Sequence, residues 1–129
     1  MKVLALDYGA TRTGVAVSDA TGTIARPLGV VERAAGERGL AELRDLVLEH
    51  EVDRIVVGLP VTLRGERGAQ AVETDAFVEA LRGVVSVSVE TYDERFTTAI
   101  AAREGGTAAE DARAAAHLLE SYLERTSGR

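Results

Sequence analysis

Three segments of this chain carry carboxylates whose placement could support metal chemistry. Asp7 ends a short apolar run, Asp93-Glu94 follows a later one, and Glu110-Asp111 opens an apolar helix. Acids in such places can meet in one pocket, because ligand crevices in open α/β sheets lie beyond the carboxyl ends of the strands. Carboxylate oxygens bind Mg²⁺ and Mn²⁺, and these metals promote hydrolysis of phosphodiesters. The pattern therefore indicates metal-dependent phosphodiester chemistry.

Each acid also has a purely structural explanation. Asp7 could form an Asx turn with Tyr8 and Gly9, but a buried aspartate is rare unless it is paired or metal-bound. Asp111 could complement the dipole of its helix, yet Glu110 already fills that role and Asp111 lies on the apolar face. We therefore favour a functional role for Asp7 and Asp111. Carboxylates gathered in one pocket would repel one another until a cation enters.

The middle pair of acids is ambiguous. Strict strand alternation groups Asp93 with Val89 and Thr91 on one face and puts Glu94 on the other. Alternation favours Asp93 as the side chain that points with the core, unless the strand bends before Glu94. From the acids alone, either residue could be the second metal ligand.

The composition is that of one globular domain. The chain has 129 residues, 46% of them apolar, which fits a single domain over residues 1–129. It has no cysteine, so disulfides and cysteine-bound zinc are excluded. Its apolar runs are too short for a membrane span or a signal peptide, so we expect a cytoplasmic protein with no membrane partner. The net charge of −6 argues only weakly against nucleic-acid binding, which needs a local basic patch.

Hydrophobic periodicity predicts an α/β domain with the element order βββ-α-β-α-β-α-α. We expect strands at residues 3–7, 14–19, 27–32, 54–59 and 85–90, and helices at residues 36–51, 69–81, 97–103 and from 107 onward. Tight connections predict an antiparallel meander for the first three strands, and strand-helix-strand units predict parallel crossovers. The sheet should be mixed and five-stranded, with helices on its faces. Thr107 and Glu110 have the spacing of a capping box.

Four motifs, in order along the chain, resemble those of the YqgF family, also called RuvX. They are residues 6–19 (LDYGATRTGVAVSD), residues 56–60 (VVGLP) with glycines at 65 and 68, residues 93–98 (DERFTT), and helical positions within 111–123. Members of that family have a ribonuclease-H-like fold. They are described as Holliday junction resolvases or as nucleases for pre-16S ribosomal RNA. The resemblance covers nearly the whole chain and implies the same fold here.

The resemblance also implies roles for individual residues. Asp7, Glu94 and Asp111 would bind Mg²⁺ or Mn²⁺ and carry catalysis, which selects Glu94 from the middle pair. Arg12 and Arg95 would lie near the site and contact nucleic acid.

The chain departs from the family pattern at several positions. The family often has lysine and isoleucine where this chain has Thr11 and Thr13, and its lysine-rich loop corresponds here to residues 103–109, which are nearly uncharged. Ribonuclease H enzymes usually carry an acid at the end of the strand beside the first, whereas here that strand ends Gly58-Leu59-Pro60. Glu94, on the next strand out, would have to span roughly 10 Å, because neighbouring strands lie about 4.8 Å apart.

The function implied is a metal-dependent endonuclease, with 5′-end maturation of pre-16S rRNA favoured by the resemblance. A Holliday junction resolvase and a non-catalytic nucleic-acid-binding module are the alternatives. Symmetric cutting of a junction would favour a homodimer, whereas processing of one RNA end needs only a monomer. Asp7 and Gly9 also resemble the phosphate loop of actin-like ATPases, but those proteins enclose ATP between two such domains and this chain supplies one.

We expect Arg64 and Arg67 to bind nucleic-acid phosphates, because they lie among glycines in a polar loop. The double substitution Arg64→Ala and Arg67→Ala should weaken binding. It should also reduce the slope of log affinity against log salt by about one to two, since each lost phosphate contact removes counterion release. Affinities measured over a salt series test this. An unchanged slope in a folded double variant would identify both residues as ordinary surface charges.

Overall fold

The computed structural model of the chain describes residues 1–60, 68–94 and 107–127. Within these residues the elements, in chain order, are β1 (Val3–Asp7), β2 (Arg12–Ser18), β3 (Ala25–Glu32), α1 (Glu37–Glu49), β4 (Arg54–Leu59), α2 (Ala69–Arg82), β5 (Ser88–Asp93) and α3 (Ala108–Ser127). Their order agrees with the predicted one, and the predicted helix at 97–103 lies outside the described residues. None of the described helices combines the length and the apolar character needed to cross a bilayer.

The strands form one mixed sheet in the order β3-β2-β1-β4-β5. β1, β2 and β3 make an antiparallel meander, and β4 lies parallel to both β1 and β5. The predicted mixed five-stranded sheet is therefore confirmed. All five residues of β1 are buried, as expected for a central strand that is covered on both faces.

The edge strand β5 begins later than the sequence pattern suggests. Alternating valine and serine predict a strand from residue 85, but the strand starts at Ser88. The backbone N–H groups of Val84 and Val85 donate to the carbonyl of Leu81, at 3.0 and 3.2 Å. These bonds close the end of α2, so the first valines belong to that turn. β5 lies at one edge of the sheet.

Side chains of the sheet fill two separate cores. One core lies against α1 and α2 (the α1/α2 face) and the other lies beneath α3 (the α3 face). On β1, Leu4 and Leu6 belong to the first core, whereas Val3 and Ala5 belong to the second. Side chains alternate along a strand, so Asp7 continues the second series and faces α3.

α3 begins with the capping box that the sequence predicts. The backbone N–H of Thr107 donates to the Glu110 carboxylate at 2.7 Å, and the Glu110 N–H donates to the Thr107 hydroxyl at 3.2 Å. The bond from the Thr107 N–H is the main cause that lowers the pKa of Glu110. Glu110 is thus committed to the helix end, while its neighbour Asp111 is buried against the sheet.

Hydroxyl groups fix the other half of α3 on β4 and β5. Arg54 donates to the Tyr122 hydroxyl at 2.8 Å, and this hydroxyl donates to Glu90 at 2.8 Å. The Tyr92 hydroxyl lies 2.8 Å from that of Ser121, and the two tyrosine rings meet edge to face at 5.6 Å. Burial raises the pKa of Tyr122, so its hydroxyl keeps the proton that it donates. The helix is therefore held at the start of β4, and its first turn lies over the other end of the strands.

The turn between β2 and β3 is closed by the carboxylate of Asp19. This group accepts hydrogen bonds from the backbone N–H groups of Thr23 and Ile24, at 2.8 and 3.0 Å, and from the Thr21 hydroxyl. These bonds, with that from Ile24 the largest contributor, lower the pKa of Asp19 to about 2.

We expect Asp19→Asn to remove a pH-dependent part of the stability. The pKa of Asp19 is lowered to about 2 in the folded chain, against about 3.9 in an unfolded one. The charged form therefore stabilises the fold above about pH 4, and this contribution disappears as the pH falls toward about 2. Urea titrations should show the unfolding free energies of wild type and variant converging over that range. Asp45→Asn, at an exposed position of α1, is the control, and a gap that does not narrow would contradict the prediction.

Candidate metal and nucleic-acid site

The candidate site is built around Asp7 in the centre of the sheet. Asp7 is the last residue of β1, faces α3 and is only 2% exposed. It pairs with Gly14 of β2. Leu6 pairs with Val57, so the next residue of β4, Gly58, lies beside Asp7 on its other side. A glycine therefore flanks this aspartate on both neighbouring strands.

The first turn of α3 packs on Gly14. A Cβ atom at this position would lie 2.0 Å from the carbonyl oxygen of Asp111 and 3.2 Å from the backbone nitrogen of Ala112. Only glycine allows a helix backbone to come so close to a strand. This approach places the start of α3, with Asp111, beside Asp7.

The side chain of Glu94 lies over the second glycine. A Cβ atom at Gly58 would lie 2.9 Å from Glu94 Oε1 and 3.1 Å from Glu94 Cγ. Glu94 follows β5, so its side chain reaches across onto β4, the strand next to β1. β4 has no acid at its end, and the side chain of Glu94 fills the space that such an acid would need.

Strand alternation places Asp93 and Glu94 on opposite faces of the sheet. Val89 packs in the core of the α1/α2 face, whereas Tyr92 packs under α3. Continued alternation puts Asp93 with Val89 and puts Glu94 on the α3 face with Asp7. The sheet has a core on each face, so both Asp93 and Glu94 can point toward a core. A core-facing direction therefore does not by itself identify the acid that lies with Asp7.

The carboxylate of Asp111 is paired with Arg12. Asp111 Oδ2 lies 2.8 Å from Arg12 Nε, and the two side chains are 12% and 33% exposed. Arg12 follows a tight turn, in which a Cβ atom at Gly9 would lie 2.4 Å from the Arg12 carbonyl oxygen. The turn from β1 to β2 therefore brings Arg12 back to the end of the strand that carries Asp7.

The three carboxylates are not gathered around one point. Within the described ranges, with their gaps at 61–67 and 95–106, no three acidic, histidine or cysteine side chains are grouped closely enough to hold one metal ion. Asp7, Glu94 and Asp111 approach the same part of the sheet, but the Asp111 carboxylate is turned to Arg12. The other predicted nucleic-acid contacts lie outside the described residues: Arg64, Arg67 and Arg95.

Tyr8 and the two histidines of the chain, His50 and His117, have structural surroundings. Tyr8 stacks on Phe77 of α2, with ring centroids 4.5 Å apart and planes at 17°, and burial raises its pKa. His50 follows α1 as its C-cap, and His117 is exposed beside Glu120 at 3.2 Å. Tyr8 therefore packs against α2.

Sequence reasoning missed the two glycines as parts of the site. Gly14 and Gly58 both lie inside strands, where glycine is unfavourable because it has no side chain to pack. A glycine in a strand often marks close approach of another group, and this was the available signal.

Two resolvases of known structure share this fold. The chain aligns with RuvC of T. thermophilus, solved in complex with a Holliday junction substrate, with a TM-score of 0.64 and 21% identity over 99% of this chain and 96% of that one. It aligns with the fowlpox virus resolvase, solved with Holliday junction DNA, with a TM-score of 0.57 and 12% identity over 98% and 99% of the two chains. At these identities the likeness concerns the fold, and it confirms the predicted ribonuclease-H-like class.

Curated relatives carry the name "Putative pre-16S rRNA nuclease". The one from Chloroflexus aurantiacus is 48% identical over 99 residues, which are 77% of this chain but only 65% of the relative. Those from Desulforudis audaxviator and Rubrobacter xylanophilus are 39% and 44% identical, over 100% and 98% of this chain and 99% and 95% of their own lengths. The family model described as "RuvX: Holliday junction resolvase" matches residues 1–125. This chain belongs to the RuvX family.

Proposed function

We propose that this chain is a metal-dependent endonuclease that hydrolyses phosphodiester bonds in nucleic acid. One observation carries the proposal: Asp7, the side chain of Glu94 and the first turn of α3 with Asp111 approach the same strand end on the α3 face. Burying a carboxylate costs free energy unless it is paired or binds a cation. Asp7 and Asp111 are buried and Glu94 is half-buried beside them, so a cation at this strand end would reduce the repulsion among the three acids.

The donor set fits Mg²⁺ or Mn²⁺. All three proposed ligands are carboxylates, and hard divalent cations prefer oxygen donors. Asp7, Glu94 and Asp111 would hold the metal, and Asp111 must turn away from Arg12 to take part. A bound divalent cation supplies activation of the attacking water and stabilisation of the leaving oxygen. The central strand holds Asp7 in a fixed place, and the other two acids come to it from elements that pack on the sheet.

The favoured substrate is the 5′ end of pre-16S ribosomal RNA, in the cytoplasm. Relatives that match nearly the whole chain carry pre-16S rRNA in their names. A Holliday junction is the alternative, favoured by the description of the family model. Symmetric cutting of a junction would favour a homodimer, whereas processing of one RNA end needs only a monomer. In both cases the phosphates would be contacted by arginines: Arg12, Arg64, Arg67 and Arg95.

Cleavage assays on two labelled substrates test this proposal. One is RNA that spans the mature 5′ end of 16S rRNA, and the other is a four-way DNA junction, each with Mg²⁺, Mn²⁺ or EDTA. We expect metal-dependent cutting of the RNA near its mature end. Cutting of the junction alone would favour the resolvase, and binding without cutting would favour a non-catalytic module. A depletion strain that accumulates unprocessed 16S precursor would place the activity in ribosome maturation.

Single substitutions of the acids should distinguish the proposed metal ligands from an adjacent acid that does not bind the metal. Asp7→Asn and Glu94→Gln should each slow cleavage by about a hundredfold or more, because a metal contributes several kcal/mol to transition-state stabilisation. Asp93→Asn should stay close to the wild-type rate, since it lies on the α1/α2 face. Single-turnover rates, with melting curves to verify folding, give the ranking. A larger loss for Asp93→Asn than for Glu94→Gln would reverse the ligand assignment.

Gly58→Ala should reduce cleavage in a protein that remains folded. The new Cβ atom would lie 2.9 Å from Glu94 Oε1 and 3.2 Å from Leu118 Cδ2. The flexible glutamate must therefore move, and displacing a ligand by this amount should cost about 10- to 100-fold in activity or metal affinity. Gly83→Ala, at the end of α2, is the matched control. An unchanged rate for Gly58→Ala would mean that the position of Glu94 does not matter for cleavage.

A further inference from the structure

We propose that Arg12 acts as a latch on the metal site, competing with the cation for Asp111 until a nucleic-acid phosphate draws it away. The latch rests on the proposed function, because it concerns the same three acids. It adds an order of events: nucleic acid binds first or together with the metal, and the metal alone binds weakly. Arg12 thereby couples substrate binding to metal binding.

The contact between Arg12 and Asp111 has the geometry of a strong ion pair. Arg12 Nε and Asp111 Oδ2 are 2.8 Å apart, within the range of charge-assisted hydrogen bonds. The Asp111 side chain is only 12% exposed, so solvent screens the pair less than it would screen an exposed pair. A cation that needs this carboxylate must first displace the guanidinium.

The pair also has a physical cause in the site itself. Acids brought together at one strand end repel one another, and a nearby positive charge relieves that repulsion. The tight turn at Gly9 returns the chain to the end of β1, so Arg12 is held next to the acids by the backbone. Arg12 can therefore provide the positive charge that a metal would otherwise provide.

Arg12 is placed to exchange one anion for another. Its side chain is 33% exposed, so part of it is accessible to a ligand at the surface. A guanidinium matches the geometry of phosphate as well as that of carboxylate, and can bind either through two hydrogen bonds. A phosphate of the substrate that takes Arg12 would release Asp111 toward the other acids. Linkage then requires that metal and nucleic acid strengthen each other's binding by the same factor.

Calorimetric titration with Mg²⁺ alone measures the affinity for the metal, and thereby how strongly Arg12 competes for Asp111. The measurement needs no cleavage. Arg12→Gln should bind Mg²⁺ on the order of five- to tenfold more tightly than wild type, which lies in the usual range for coupling between sites. Arg12→Lys keeps the charge and should remain close to wild type. Arg113→Gln removes one positive charge from an exposed position two residues from Asp111. This control should change the affinity by less than about threefold, as expected for a solvent-exposed charge.

A second titration, with RNA present, measures the coupling. The probe is a phosphorothioate RNA spanning the mature 5′ end of 16S rRNA, held at a concentration that saturates each variant, with its integrity checked afterwards. In wild type the RNA should raise Mg²⁺ affinity on the order of tenfold. In Arg12→Gln the increase should be clearly smaller, because there is no latch to release.

The outcomes distinguish the latch from the metal site. Tighter Mg²⁺ binding by Arg12→Gln than by Arg113→Gln, together with weaker coupling to RNA, supports the latch. Equal affinities for the two variants, or equal coupling in wild type and Arg12→Gln, would overturn it while leaving the endonuclease proposal in place. Absence of Mg²⁺ binding in every variant, with and without RNA, would overturn the metal site and the latch together.

Discussion

The arrangement of the site depends on how closely two other elements can approach the centre of the sheet. On one side of Asp7 the backbone of α3 lies at the position of Gly14, at a distance that no Cβ atom would allow. On the other side the side chain of Glu94 fills the space above Gly58. A side chain at Gly14 would push away a helix backbone, whereas one at Gly58 would displace a flexible carboxylate. Gly14 therefore controls the fold around the site, and Gly58 controls which acids share it.

α3 is held by different interactions at its two ends. The first turn carries the charged contact between Asp111 and Arg12, while the rest of the helix contributes a buried apolar stripe and the hydroxyl of Tyr122, which bonds to Arg54 and Glu90. Most of the burial that stabilises the helix thus lies away from the acids. Because other parts of α3 hold the helix on the sheet, its first turn can carry the buried Asp111 carboxylate. Burying this charge costs free energy that the apolar packing of the helix offsets.

Local patterns in the sequence predict the parts of the site that depend on short-range structure. The strand that ends at Asp7 and the inward direction of Asp111 follow from periodicity, and both agree with the structure. The choice between Asp93 and Glu94 does not follow from alternation, because both faces of the sheet are covered and only the packing of α3 shows which face carries Asp7. The pair formed by Arg12 with Asp111 is likewise a long-range contact, which no local pattern encodes.

The space above Gly58 has room for one acidic side chain, and this limits how such a site can change during evolution. A carboxylate on β4 and the present reach of Glu94 exclude each other, since both would occupy the same volume. A lineage that moved this acid from the edge strand to β4 would pass through a protein with two crowded acids or with none. In the first the flexible Glu94 side chain would have to move, and in the second the site would lack this acid. The strand that supplies this acid is therefore tied to the size of the residue at position 58, and the two positions should change together.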